Sequence, residues 1–187
     1  KEISQLEEWT GLEYDSVVFD SDICLHEIDK STFNKHIVDK KNLVFFIDYY
    51  FEFVMNQSMN ITIGAFITTT IKSNCEEKVS IDVDDESFLF SFDKNNIPKK
   101  YEIKEDKKNE SIFHLYENWN KKLFSFGNDE IVLNKNMKII TQQSNETLFD
   151  FKGIDKPFII TNSSDVNKLI VIQMKESTKQ SQNKMNQ

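Results

Sequence analysis

Apolar side chains recur at every second residue in a chain that contains a single alanine, Ala65. That combination limits the fold more than any other feature. Between positions 61 and 71, Ile61, Ile63, Ala65, Ile67 and Ile71 fall on one side, and Thr62, Phe66, Thr68 and Thr70 on the other. Between Ser87 and Asp93, Phe88, Phe90 and Phe92 alternate with Ser87, Ser91 and Asp93, with Leu89 as the exception. A period of two with one buried side is the signature of an extended strand. Alanine, the strongest helix former, is nearly absent. Phe (16) and Ile (21) outnumber Leu (10), which suits a pleated, half-buried surface.

The same criteria predict strands over 14–19, 43–53, 79–83, 101–104, 112–116, 123–126, 131–133, 138–141, 148–151, 158–160 and 169–174. Asn, Asp and Lys fill the stretches between them, as turns require. Many short strands at this spacing predict a mainly β fold, a two-sheet antiparallel β-sandwich flanked by a few short helices. Residues 43–47 and 169–172 are apolar on both faces, so they belong at the centre of a sheet or under a helix. Two helices are expected. One, over 2–9, places Ile3 and Leu6 on one side and ends at Gly11. It also reads as the end of a longer amphipathic segment. The other, over 31–38, has Ser31 as its N-cap and pairs Phe33 with Ile37. Residues 1–10 thus form an N-terminal helix, 11–175 one β-sandwich domain, and 176–187 a flexible polar tail.

A length of 187 residues with 39% hydrophobic and 29% charged residues suits one globular domain. No apolar run approaches the ~20 residues of a membrane helix. The start, KEISQLEEWTG, is charged and carries no secretory signal. It opens on Lys, not Met, which leaves room for a segment upstream. Two cysteines, Cys24 and Cys75, make no disulfide framework and fit a reducing compartment, the cytoplasm with the nucleus as alternative.

The net charge is −8, and all 23 basic residues are Lys. Without Arg the chain lacks the bidentate fork that reads guanine, which weighs against sequence-specific DNA recognition. Lys, Asn and Gln still contact phosphates and bases. Lys35, Lys40 and Lys41 form one cluster; Lys99, Lys100 and Lys104, with Lys107 and Lys108, form another; Lys121 and Lys122 a third. Convergence on one side would make a surface for phosphate or a partner.

Asp20-Ser21-Asp22 resembles the opening of a calcium loop, but Cys24, Leu25 and Ser31 stand where an EF-hand needs an oxygen ligand, Gly and Glu. A looser carboxylate site there competes with a capped turn. Glu76, Glu77, Asp82, Asp84, Asp85 and Glu86 make the densest acidic patch, and Asp82 and Asp84 alternate with Ile81 and Val83 like the wet side of a strand. Asp20, Asp22, Asp82 and Asp84 are therefore the weak metal candidates. His26, His36 and His114 lack zinc-site spacing, and His114 is placed on the outer side of its strand. There is no nucleophile elbow, P-loop or dinucleotide-binding glycine motif, so no catalytic residue and no cofactor is assigned.

In order along the chain stand Glu8-Trp9-Thr10-Gly11, Tyr14-Asp15-Ser16, Phe19-Asp20, Phe33-Asn34 and the run Asn42 to Ile47. Ile63-Gly64-Ala65-Phe66, Glu86 to Phe92, Phe126-Gly127 with Asp129-Glu130-Ile131, and Val171 to Met174 follow. This order, over residues 6–175, resembles the TLDc domain of oxidation-resistance proteins. Gly11, Gly64 and Gly127 fall at matched motif positions, where positive φ or close approach explains a glycine. The glycine-rich stretch common in animal members is missing around Gly127.

The resemblance implies a β-sandwich with short helices, a role in oxidative-stress protection and, in some members, binding to the vacuolar proton-pumping ATPase. It implies no settled catalytic mechanism. The expectation is a non-enzymatic interaction domain acting through a protein partner, without membrane insertion. The alternatives are a DNA-binding transcriptional regulator of stress-responsive genes that uses the lysine clusters, and a metal-dependent site of unknown activity.

Overall fold

The structure, a computed structural model, describes the chain except residues 24–27, 54–56, 73–77, 83–85, 94, 96, 109, 117–119, 142–146, 155–156, 159–162 and 178–187. At 23, 51–53, 57–59 and 78–82 it describes the backbone alone. The fold is mainly β. Helix α1 (Glu2–Thr10) precedes strand β1 (Leu12–Asp20), and helix α2 (Lys30–Ile37) leads to the hairpin β2 (Leu43–Phe53) and β3 (Gln57–Ile67). Then come β4 (Lys78–Asp82), β5 (Phe88–Phe92), β6 (Pro98–Glu102), β7 (Ser111–Tyr116), β8 (Lys122–Phe126), β9 (Ile131–Asn134), β10 (Lys138–Thr141) and β11 (Ser164–Glu176). None of the described helices is long and apolar enough to cross a membrane.

Every strand pairing is antiparallel, and the hydrogen-bonded path is continuous: β4-β7-β8-β9-β10-β11-β2-β3-β5-β6, with β1 also on β11. β11 joins the two halves. Its first residues, Ser164 and Asp165, pair with β10, and from Val166 it pairs with β2. A bulge between Val166 and Lys168 bends the strand at that transfer, as an inserted residue does. The halves then face each other. The Phe45 ring of β2 stands 5.3 Å from Phe113 of β7 and 5.3 and 5.4 Å from Phe124 and Phe126 of β8.

Two buried layers result. The larger holds Leu43, Phe45, Ile47 and Tyr49 of β2, Ile61, Ile63, Ala65 and Ile67 of β3, and the inward phenylalanines of β7 and β8. The smaller lies under α1 and holds Leu6, Val44, Phe46, Phe66, Phe88, Phe90, Phe92, Ile172 and Met174. Segments 43–47 of β2 and 169–172 of β11 thus pack against both layers, which is why they are apolar throughout. Leu89 is not an exception to a pattern: it faces the larger layer while Phe88, Phe90 and Phe92 face α1. Ser91 is buried as well, its hydroxyl 3.1 Å from the Tyr101 hydroxyl.

Gly64 is required by this double burial. A Cβ there would stand 1.9 Å from the Phe45 carbonyl oxygen and 2.5 Å from the Phe90 ring, so no other residue fits between them.

Several expectations are corrected. α2 is capped by Asp29, not Ser31: the Asp29 carboxylate accepts from the Thr32 N–H (2.9 Å), two residues before Ser31 would be reached. His114 lies on the outer side of its strand, opposite Ser125, but is buried there. The expected strand over 101–104 is β6, three residues earlier at its start. That over 148–151 reduces to a bridge between Ile103 and Phe149 at the end of β6. Glu176 still belongs to β11, opposite Leu12, and the Ser177 hydroxyl donates to Glu13 (2.6 Å), so order runs past residue 175. Of the expected strand over 158–160, positions 159 and 160 lie outside the described residues, as do Cys24, Cys75, His26, Glu76, Glu77, Asp84 and Asp85.

Candidate functional site

Glu8-Trp9-Thr10-Gly11 builds the junction between α1 and β1. Trp9 stands 5.8 Å edge-on from Phe88 and 6.3 Å in a stack with Phe92, so it seals the smaller layer. Gly11 ends the helix with φ 68°, its N–H donating to the Glu7 carbonyl (2.9 Å). The Thr10 hydroxyl donates to the Leu6 carbonyl (2.7 Å) and accepts from the Leu12 N–H (3.2 Å). Glu7 then reaches across the turn: its carboxylate accepts from the Tyr14 N–H (3.0 Å). Among the described residues β1 pairs only with β11, so α1 covers one backbone donor on an edge with no other strand partner there. Bulges between Tyr14 and Ser16 and between Val17 and Phe19 further distort that edge. Tyr14 is 38% exposed and Val17 50%.

Beyond β1, the Asp20-Ser21-Asp22 segment is a capped turn. The Asp22 N–H donates to the Asp20 carboxylate (3.0 Å), and the Ser21 hydroxyl accepts from the Leu169 N–H (2.9 Å). The Lys168 ammonium is 3.4 Å from Asp20 and donates to Asp22, in the place between the two carboxylates that a cation would take. The hydrogen bond to Asp22 raises the Lys168 pKa, holding that charge in place. Of the other acidic candidates, Asp82 ends β4, with its side chain outside the described residues.

The lysines divide. Lys35, on α2, and Lys41, in the turn before β2, are exposed, and Lys40 in the same turn is half-buried. Lys99 and Lys100 stand on β6, opposite Ser91 and Phe90, and so point to opposite faces of the sheet. Lys100 pairs with Glu102 (3.1 Å) and lies 4.6 Å over the Phe88 ring. Lys104 donates to the Thr147 hydroxyl (2.9 Å). Lys121 is exposed, and Lys122 is drawn into the cluster below.

Sequence reasoning did not find a polar cluster on the outer face of β7 and β8. The Tyr116 hydroxyl lies 3.1 Å from the Ser125 hydroxyl and donates to Asp129 (3.2 Å), and Lys122 donates to the second Asp129 oxygen (2.5 Å). His114 stands opposite Ser125 in the same ladder. Burial pushes the Asp129 pKa up, but hydrogen bonds from Lys122, Ser125 and Tyr116 outweigh it and hold the carboxyl below its usual range. Ser125 is fully buried, so the arrangement ties a turn to two strands and presents no nucleophile to solvent.

Glu130 is buried in the same turn, between β8 and β9. One carboxylate oxygen accepts from the Leu148 N–H, and the other has no hydrogen-bond partner among the described residues. Gly127, at φ 59°, leaves the space that this oxygen fills, since a Cβ there would be 2.1 Å from it. The short segment Gly127–Ile131 signalled a turn; the partners on β7 and at Leu148 are distant in sequence and left no local mark.

No family model matches the chain, and no curated protein sequence matches it.

Proposed function

We propose that this chain is a TLDc-type interaction domain that acts in the oxidative-stress response by holding a protein partner. Support comes first from what the motif residues do. Trp9 seals a buried layer, Gly11 ends a helix, Gly64 allows close strand approach and Gly127 makes room for Glu130. Those positions define a domain and leave its surface free to vary.

The observation that carries the proposal is the exposed apolar face of β1. Among the described residues the exposed large apolar side chains are Ile3, Tyr14, Val17, Tyr50, Ile97 and Ile154, and β1 alone contributes two. They sit on a strand that, among the described residues, has one edge without a strand partner, where a partner can reach them. The resemblance adds a vacuolar proton-pumping ATPase as a specific partner to try.

Affinity capture with the full chain as bait, from cells with and without peroxide, followed by mass spectrometry, tests this. The expected result is a reproducibly enriched partner whose recovery changes with oxidant. Enrichment of no protein in either condition would remove the proposal.

A further inference from the structure

The open face of β1 also indicates what chemistry a partner must bring. In the β1–β11 ladder Tyr14 stands opposite Met174 and Val17 opposite Ile172. Directly opposed side chains of an antiparallel pair share a face. Met174 and Ile172 belong to the layer under α1, so Tyr14 and Val17 project on the α1 side of the sheet. Ile170, partly buried against that layer, continues the strip and stands opposite Asp20. α1 takes the Tyr14 N–H through Glu7, yet Val17 beyond it is half exposed, so the cover ends there.

Carboxylates mark both ends of this strip. Glu7 lies at the Tyr14 end. Asp20 and Asp22 lie at the other, joined by Lys168. Asp48 stands opposite Lys168 in the β2–β11 ladder, its carboxylate accepting from the Thr62 hydroxyl (2.7 Å). Four carboxylates against one ammonium therefore border three apolar side chains, in a chain of net charge −8. Because of the two bulges, Tyr14 to Asp20 spans only the four steps from Met174 to Ile170 on β11, roughly 13 Å at ~3.3 Å per residue, the length of a helix of about 9 residues.

We propose that this strip of β1 and β11 is the docking surface for a basic amphipathic helix of a partner protein. Apolar residues of that helix cover Tyr14, Val17 and Ile170. Its Lys or Arg side chains meet Glu7 at one end and Asp20, Asp22 and Asp48 at the other. A second copy of this chain would set the same carboxylates against each other, and a nucleic acid or anionic lipid surface would be repelled. The inference rests on the protein-partner proposal above and narrows it to one surface and one chemistry.

The test uses the full chain and a fluorescent amphipathic Leu/Lys peptide of about 18 residues, with a Leu/Glu peptide of the same pattern as control. Binding is read by anisotropy, and its location by amide chemical shifts. The expected result is binding of the Leu/Lys peptide only, with shifts concentrated at Tyr14, Val17, Asp20 and Ile170. Val17→Asp and Asp22→Lys should each weaken binding about tenfold or more. Glu105→Lys, an exposed charge reversal between β6 and β7, should leave it unchanged, with thermal melts verifying that all variants fold.

Shifts centred elsewhere, equal binding by Val17→Asp, or equal binding of the Leu/Glu peptide would overturn the docking surface. The broader proposal fails separately: if a captured cellular partner stays bound to Val17→Asp, the surface is wrong and the interaction role stands. If the wild type captures nothing, the interaction role itself falls.

Discussion

The Glu130 carboxyl is buried between β8 and β9, bonded through one oxygen to the Leu148 N–H and, among the described residues, unpartnered at the other. Burial raises its pKa above the usual carboxylate value, and the hydrogen bond from the Leu148 N–H only partly offsets this. The folded state therefore favours the protonated side chain. The stability this gives is fully present below the unfolded-state pKa and is lost as pH rises through the higher folded-state value. Glutamine keeps the acceptor for Leu148 and never carries the charge. Glu130→Gln is expected to be more stable than wild type at pH 7 by about 1 kcal/mol, roughly 2–4 °C in Tm for a chain of this size. The difference should vanish near pH 4. Thermal melts across that range check it, and a gap independent of pH would show that the charge is not the cause.

At the scale of elements, α1 depends on how it ends. Gly11 holds φ 68°, and a Cβ there would meet no atom within 4 Å, so the residue is needed for its backbone alone. Gly11→Ala is expected to cost about 1 kcal/mol, the strain of a left-handed conformation, with Gly11→Asn costing less. The urea midpoint should fall with its slope unchanged. A fall equal for Ala and Asn would mean that side-chain bulk, not φ, is at issue. The cap of α2 shows the opposite case. Ser31 was a reasonable N-cap by residue type, but Asp29 and Thr32 satisfy the helix two residues earlier. Both residues are good caps, and only the path of the incoming chain chose between them.

Across the whole molecule, Phe45 joins the two halves of the sheet, packed against Phe113, Phe124 and Phe126. β11 pairs with both halves and the larger core is shared between them, while the smaller layer lies within one half. Phe45→Ala is expected to lose about 3–5 kcal/mol, and to unfold in one transition. Tyrosine and tryptophan fluorescence should coincide with far-ultraviolet circular dichroism through the urea titration. Separate transitions would show that the halves fold independently.

Strand identity was legible in the sequence because a two-residue period records burial locally. The segments 43–53, 112–116 and 138–141 differ from the observed strands by at most one residue at either end. The glycines were legible too, since a chain with four of them places each where Cβ is excluded or φ is positive. Leu89 and Ser91 were misread, and the burial of His114 on its outer face was missed, for one reason: alternation tells which residues share a face, but not whether the far face is also covered. That depends on α1 returning over β5 and on the polar contacts across β7 and β8. The same limit governed the candidate sites. Sequence placed Asp20 beside Asp22 but not Lys168 between them, and it grouped the lysines by number along the chain. Only the tertiary structure, which brings together residues more than a hundred positions apart, decided which charges meet and which apolar side chains on β1 stay open to solvent.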